Sequence, residues 1–286
     1  MNSESFDVLV LGGGAAGLFC AFTAAQRGKR VRVLECANKV GKKILMSGGG
    51  RCNFTNTGTT HENFLSANPH FSKSALARYR PHDFIALVNR HGVAWHEKEL
   101  GQLFCDDSSK QILQMLLAEC ATANVEIRTE CAVQSVERVD TGFALRTSQG
   151  PMRAARLVVA TGGLSIPSLG GSGFGYDLAR QFGHGLLPLR AGLVPLTLSG
   201  RPLEQWQDLS GLSLDIEASC VAATFNNAML ITHRGLSGPA ILQISNYWQP
   251  GEPLHLNLFP QGDPLTFLLD KQREQPAAEL RTVLGD

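Results

Sequence analysis

Residues 6–35 read FDVLVLGGGAAGLFCAFTAAQRGKRVRVLE, and this stretch decides the fold. An apolar run, Val8 to Leu11, leads into Gly12-Gly13-Gly14-Ala15-Ala16-Gly17 and a small-residue helix predicted over Ala15 to Arg27. A second apolar run, Val31 to Leu34, ends in an acid at Glu35. Strand, G-x-G-x-x-G turn, helix, strand and acid together form the βαβ context of a dinucleotide site. Gly12 permits the tight turn, and Gly14 lets backbone approach a pyrophosphate. Gly17 lets the helix pack closely, while the first helical N–H groups, around Ala15 and Ala16, aim at phosphate. A carboxylate at Glu35 accepts hydrogen bonds from an adenosine ribose and disfavours a 2′-phosphate, so FAD or NAD is expected here ahead of NADP.

With 286 residues, 43% apolar and 18% charged, the chain has ordinary globular composition and room for one large or two ordinary domains. A net charge of +1 without a long like-charge run gives no overall footprint for nucleic acid or an anionic membrane, so neither is expected as a partner. No stretch approaches a membrane span, and the first strand begins too early for a signal peptide, so a cytoplasmic location is expected. The seven cysteines are scattered and show neither C-x-x-C nor zinc-type spacing, as for reduced, buried thiols.

Asn38 to Gly58 reads as a long glycine-rich loop serving a site. Gly48, Gly49 and Gly50 admit close approach to a ligand; Lys42, Lys43 and Arg51 supply positive charge, and Asn53, Thr55 and Asn56 neutral hydrogen-bonding groups. From residue 61 to 123 the pattern is helical scaffold, with Pro81 as a helix start, Gly92 as a stop, and a capping box at Ser108 and Gln111. Asp106 and Asp107 read as a solvated helix start rather than a metal pair. Short strands at Val125 to Arg128, Ala132 to Val139 and Phe143 to Thr147 suggest a small antiparallel meander. Turns at Gly142 and Gly150-Pro151 precede a buried strand ending at Ala160. Thr161, Gly162 and Gly163 then open a second glycine-rich loop before a helix near Tyr176 to Phe182.

The fingerprint with Glu35, together with GKKILMSGGGRCNFTN (41–56), ATGGLSIPSLGGSGFGYDLARQFGH (160–184) and THRGLSGPAILQIS (232–245), resembles the BaiN-like, or YhiN-type, FAD-dependent oxidoreductases. These belong to the glutathione-reductase-like, two-dinucleotide-binding-domain flavoproteins. The resemblance implies an α/β protein. Residues 1–188 would form a Rossmann-like FAD-binding domain with a meander and a helical insertion. Residues 189–286 would form a family-specific, partly β-barrel inserted domain. It further implies FAD with its adenosine half on Gly12 to Glu35, a backbone contact to adenine near Val133, and the Arg51-Cys52-Asn53 loop on the flavin side. Relatives of this kind return to the first domain after the insertion. Here Asp263-Pro264 and Pro276 read as helix starts and the chain stops at Asp286, so a C-terminal truncation is expected. A non-catalytic FAD-binding remnant is the alternative to a working enzyme.

The chemistry would then be the cofactor's, with the protein positioning and polarising it. The resemblance suggests NAD(P)H as a transient donor, docking on the flavin because no second G-x-G-x-x-G exists, and a small organic substrate. Arg51 and the Gly48 to Gly50 amides are candidates to stabilise the reduced ring, and Asn53 shares that loop. His233 beside Arg234 could protonate an enolate or could mark a turn. Cys52, without a nearby second thiol, reads as a packing residue, which disfavours disulfide reduction. The remaining histidines show no metal-ligand spacing, so no metal is expected.

Overall fold

The computed structural model describes residues 4–279 and falls into two units, one up to Leu187 and one from Pro188 onward. The first unit opens with β1 (Glu4–Leu11), α1 (Ala15–Ala25) and β2 (Val31–Leu34). Then come α2 (Lys42–Met46), β3 (Asn53–Asn56), α3 (Lys73–Arg78), α4 (Pro81–Arg90), β4 (Trp95–Glu97), β5 (Gln102–Cys105) and α5 (Lys110–Thr122). It closes with β6 (Glu126–Arg128), β7 (Val133–Val139), β8 (Gly142–Thr147), β9 (Gly150–Val159) and α6 (Phe174–Gln181).

Six strands form one sheet in the order β6-β2-β1-β9-β8-β7, the first four parallel and the last two antiparallel. Successive residues of β1 point to opposite faces, so Val8 and Val10 pack with Ala21 and Ala25 of α1, while Leu9 and Leu11 pack with Met152 and Leu178 on the other face. The sheet is therefore covered on both sides, as a parallel sheet requires. A separate three-stranded sheet, β3-β5-β4, carries the helical insertion.

The second unit contains β10 (Leu196–Thr197), α7 (Arg201–Trp206), β11 (Ser213–Cys220), β12 (Ala223–Thr232), β13 (Gly235–Ser237), α8 (Pro239–Ile244), β14 (His255–Asn257) and α9 (Pro264–Glu274). Its antiparallel sheet, β10-β13-β12-β11-β14, packs Ile216, Met229 and Ile231 against Ile241 and Ile244 of α8.

Several sequence expectations need correction. The expected loop from Asn38 to Gly58 contains α2, a 3-10 turn at Ser47–Gly50 and β3. Gly150-Pro151 is not a turn but the start of β9, which runs unbroken from the meander into the parallel sheet. Pro151 is tolerated because pairing with β1 begins one residue later, at Met152, so its missing N–H removes no bond to that strand. The end of β9 is also less buried than expected, with Val159 47% exposed. Helix α1 stops at Ala25, and α6 begins two residues early. The Ser108 hydroxyl accepts from Lys110 N at 3.2 Å, but the Gln111 return bond is long, 3.5 Å. The expected final helix from Pro276 lies largely outside the described residues, and Pro276 itself sits in a turn.

One charged side chain is buried in the sheet. Arg32 on β2 is 2% exposed, hydrogen-bonds to Glu4 and Glu126, and lies over the Phe6 ring at 4.1 Å. Hydrogen bonds from Arg32 hold both carboxyls below the ordinary glutamate value of 4.5. Groups with lowered folded-state values contribute stability above their unfolded value and lose it as pH falls through the folded one. Arg32→Met should therefore show a shallower acid-side fall in Tm than wild type, measured by melting scans below pH 4.5.

A second prediction concerns the turn after β1. A Cβ at Gly17 would lie 1.9 Å from the Gly12 carbonyl oxygen, whereas one at Gly14 meets nothing within 4 Å. Gly17→Ala should cost about 1–3 kcal/mol through overpacking and lower Tm by several degrees. Gly14→Ala, at a φ of −81° that alanine accepts, should cost under about 1 kcal/mol.

Candidate functional site

Three parallel strands end side by side in the first unit: β1 at Leu11, β2 at Leu34 and β9 at Val159. Ligands of open α/β sheets bind beyond such carboxyl ends. A cavity of about 880 Å³ lies there, lined by Gly12, Gly14, Glu35, Lys43, Val133 and Thr161 among others. Its volume falls at the upper end of ordinary ligand sites.

The floor is almost all backbone. Gly12 N donates to Leu34 O at 2.8 Å, Ala160 N to Leu11 O at 2.8 Å, and Gly41 N to Gly13 O at 2.9 Å, so the first turn is tied to three neighbouring segments. Gly12, at φ +105°, passes so close to β9 that a Cβ would meet Ala160 O at 2.4 Å. Gly14 alone among the fingerprint glycines faces open space, the arrangement a phosphate-bearing ligand needs.

Glu35 is pinned rather than free. Its carboxylate accepts from Gly13 N and Ala37 N, each at 2.8 Å, and from the Cys36 thiol at 3.5 Å. It is the one acid among the lining residues, against Lys39, Lys42 and Lys43. Lys43 Nζ donates to Ser165 Oγ at 2.9 Å, linking α2 to the loop after β9. Thr161 Oγ1 is buried without a hydrogen-bond partner, and burying an unpaired hydroxyl costs about 1–3 kcal/mol.

Burial of the Cys52 thiol, 5% exposed, pushes its pKa up, with a Ser47 hydrogen bond partly opposing. Cys36 is raised by burial and by the Glu35 charge. All seven cysteines are free thiols. Raised thiols without a disulfide partner fit packing better than dithiol chemistry.

The structure brings together Gly12, Gly14, Ala15, Ala16, Glu35, Lys43, Cys52, Asn53, Val133, Thr161 and Gly162 as cavity lining. Gly17 lies beneath the turn, and Gly163 stands against the Tyr176 hydroxyl. Gly48, Gly49, Gly50 and Arg51 are outside the lining. The three glycines take left-handed conformations, with φ of +57°, +64° and +91°. Gly48 packs on the Phe104 ring and Gly50 O accepts from Ser109 N, which leaves Arg51 exposed. In the second unit, His233 lies on the exposed turn between β12 and β13, where the Thr232 hydroxyl accepts from Arg234 N. Asp106 pairs with His96 at 2.7 Å, and no cluster of metal-ligating side chains occurs among the described residues.

Sequence reading missed an apolar wall made by Phe19, Phe54, Phe84, Ile112 and Leu116. The signal for Phe19 was available, since it stands three and four residues after Ala16 and Ala15 on one helical face. Phe84, Ile112 and Leu116 read as core, and partly they are.

Residues 6–230 match the HI0933-like protein Rossmann domain, and residues 190–286 match the HI0933-like protein barrel and H2TH domain. The chain belongs to the HI0933-like family. This family lies within the flavin-dependent oxidoreductase superfamily expected from the motifs. Over 99% of its length the chain is 52% identical to the ribosomal RNA dihydrouridine synthase of Escherichia coli and 46% identical to that of Haemophilus influenzae. Each alignment covers 71% of the relative and does not establish the expected truncation. The BaiN-like resemblance is the weaker one. The 3-dehydro-bile acid delta(4,6)-reductase of Clostridium scindens is 30% identical over 85% of this chain and 60% of its own. Among the described residues no helix is long and apolar enough to cross a membrane.

Glu35→Ala should expose two backbone N–H groups that the carboxylate now satisfies. The expected loss is about 2 kcal/mol, or about 4–8 °C in apoprotein Tm, read by calorimetry. An unchanged melt would show that water replaces the carboxylate without cost.

Proposed function

We propose that this chain binds FAD in the first-unit cavity and, with NAD(P)H as donor, reduces uracil bases of ribosomal RNA to dihydrouracil. The observation that carries the reading is the near-complete alignment, at 52% identity, with a relative named for that product. The cavity supports the cofactor half. An open Gly14 and an acid at the end of β2 suit a nucleotide with a sugar and a pyrophosphate.

FAD, when bound, supplies hydride transfer between a nicotinamide and a conjugated double bond. Glu35 would orient the ribose, and the Gly14 to Ala16 backbone would face the pyrophosphate. Lys39, Lys42 and Lys43 would offset its charge, and the Cys131 to Val133 segment would meet adenine. The apolar wall from Phe19 to Leu116 would exclude water from the ring. Arg51, outside the lining, is given no contact in this reading.

The overall reaction adds one hydride to C6 and one proton to C5 of uracil while NAD(P)H becomes NAD(P)+. The C5–C6 bond is conjugated with a carbonyl, as the names of the bile-acid relative's substrate and reaction also imply. One chemistry would therefore serve both substrates. RNA as substrate replaces the expectation of no nucleic-acid partner, which rested on the net charge and the lack of a long like-charge run.

The test incubates the purified, FAD-loaded chain with unmodified ribosomal RNA and NADH or NADPH, and measures dihydrouridine by mass spectrometry of the digested RNA. Product with either donor is expected. Gly14→Ala should bind FAD at least about tenfold more weakly, because a methyl group enters the phosphate face. A flavin-loaded chain that forms no product with either donor would overturn the substrate assignment.

A further inference from the structure

Residues 63–82, NFLSANPHFSKSALARYRPH, contain no acid but hold Lys73, Arg78, Arg80 and two histidines. The large aromatic side chains left exposed among the described residues, Phe64 (50%), Phe71 (79%) and Tyr79 (38%), all fall within this one stretch. Arg80 pairs with Asp83, whereas Lys73 and Arg78 are exposed and make no ion pair among the described residues. The stretch also reaches the cavity wall. The Tyr79 ring meets Phe19 at 4.9 Å between centroids, Phe19 meets Phe84 at 6.4 Å, and both phenylalanines line the cavity.

Exposed aromatic faces interleaved with unpaired cations are what single-stranded RNA requires, because every base presents a stacking face and every linkage a negative charge. We propose that residues 63–82 form the docking surface for a single-stranded segment of RNA. Phe64 and Phe71 stack bases, Lys73 and Arg78 hold phosphates, and the Tyr79 end leads the strand toward the cavity. This inference rests on the reading of RNA as substrate and adds where the chain holds it. An anionic lipid surface also attracts aromatic and basic side chains; RNA is favoured here because the Tyr79 end of the stretch packs on the wall of the cavity read as the reducing site.

The test measures fluorescence anisotropy of a labelled single-stranded, uridine-containing RNA titrated with the full FAD-loaded chain at several salt concentrations. Phe71→Ala should weaken binding about tenfold. The double variant Lys73→Ala with Arg78→Ala should flatten the dependence of log K on log salt by about 1.4, two phosphate contacts at ~0.7 each. Val221→Ala, at an exposed position in the second unit, should leave both unchanged. Melting temperature and flavin absorbance serve as folding controls, since none of these side chains is buried. Variants that bind with wild-type affinity and salt slope would overturn the surface while leaving uridine reduction, judged by turnover, intact. A wild-type chain that ignores RNA but binds anionic vesicles would overturn it equally, and turnover would then decide separately whether the substrate reading also falls.

Discussion

The crossing of Gly12 and Gly17 is the constraint on which the first unit depends. Helix α1 starts close enough to β1 that a single methyl at Gly17 would penetrate the Gly12 carbonyl, and Gly12 in turn abuts the carbonyl of Ala160. Three chain segments thus meet through backbone alone. Were any of them held apart by a side chain, α1 would stand off the sheet, its contacts with Val8 and Val10 would weaken, and the open face at Gly14 would lose its floor. The same crossing sets the position of β9, which feeds the meander at one end and the second glycine loop at the other. Stability and ligand access are therefore properties of one arrangement.

The cavity built on that crossing is chemically graded. Backbone amides, Glu35 and three lysines occupy the part nearest the strand ends, and aromatic and aliphatic side chains from α1, α4 and α5 form the far wall. Glu35 spends both oxygens on the turn and on Ala37, so its role begins with fixing the loop geometry. A carboxylate held in this way is fixed in orientation by the backbone around it.

The βαβ unit was legible because its signals are local: spacing of glycines, an acid at a strand end, and β2 at the residues its hydrophobic run indicates. The structured segment from α2 to β3 was not, because its glycines suggest looseness while its order comes from distant contacts. Gly41 lies against Leu113, Gly48 against Phe104, and Ser109 hydroxyl bonds to Leu45 O. Sequence proximity to the ribose position likewise suggested that Gly48 to Arg51 face the ligand. Gly48, Gly49 and Gly50 take left-handed conformations and stand outside the cavity lining, and three successive positive φ values cannot be inferred from composition. The apolar wall escaped notice because a residue facing a cavity and one facing the core obey the same helical periodicity.

A net charge of +1 is a poor guide to polyanion binding when charges are partitioned in space. Arg32 and Arg128 are neutralised by Glu126 and Glu4, and Arg180 and Arg273 by acids three residues away in their own helices. These pairs enter the total as zero and leave the surface field almost unchanged. Lys73 and Arg78 make no ion pair among the described residues, and no acid occurs between residues 63 and 82, with Glu62 and Asp83 flanking the stretch. What a polyanion meets is the local excess. The near-neutral total thus excludes a strongly basic protein, but not a basic, aromatic strip at the edge of a cavity.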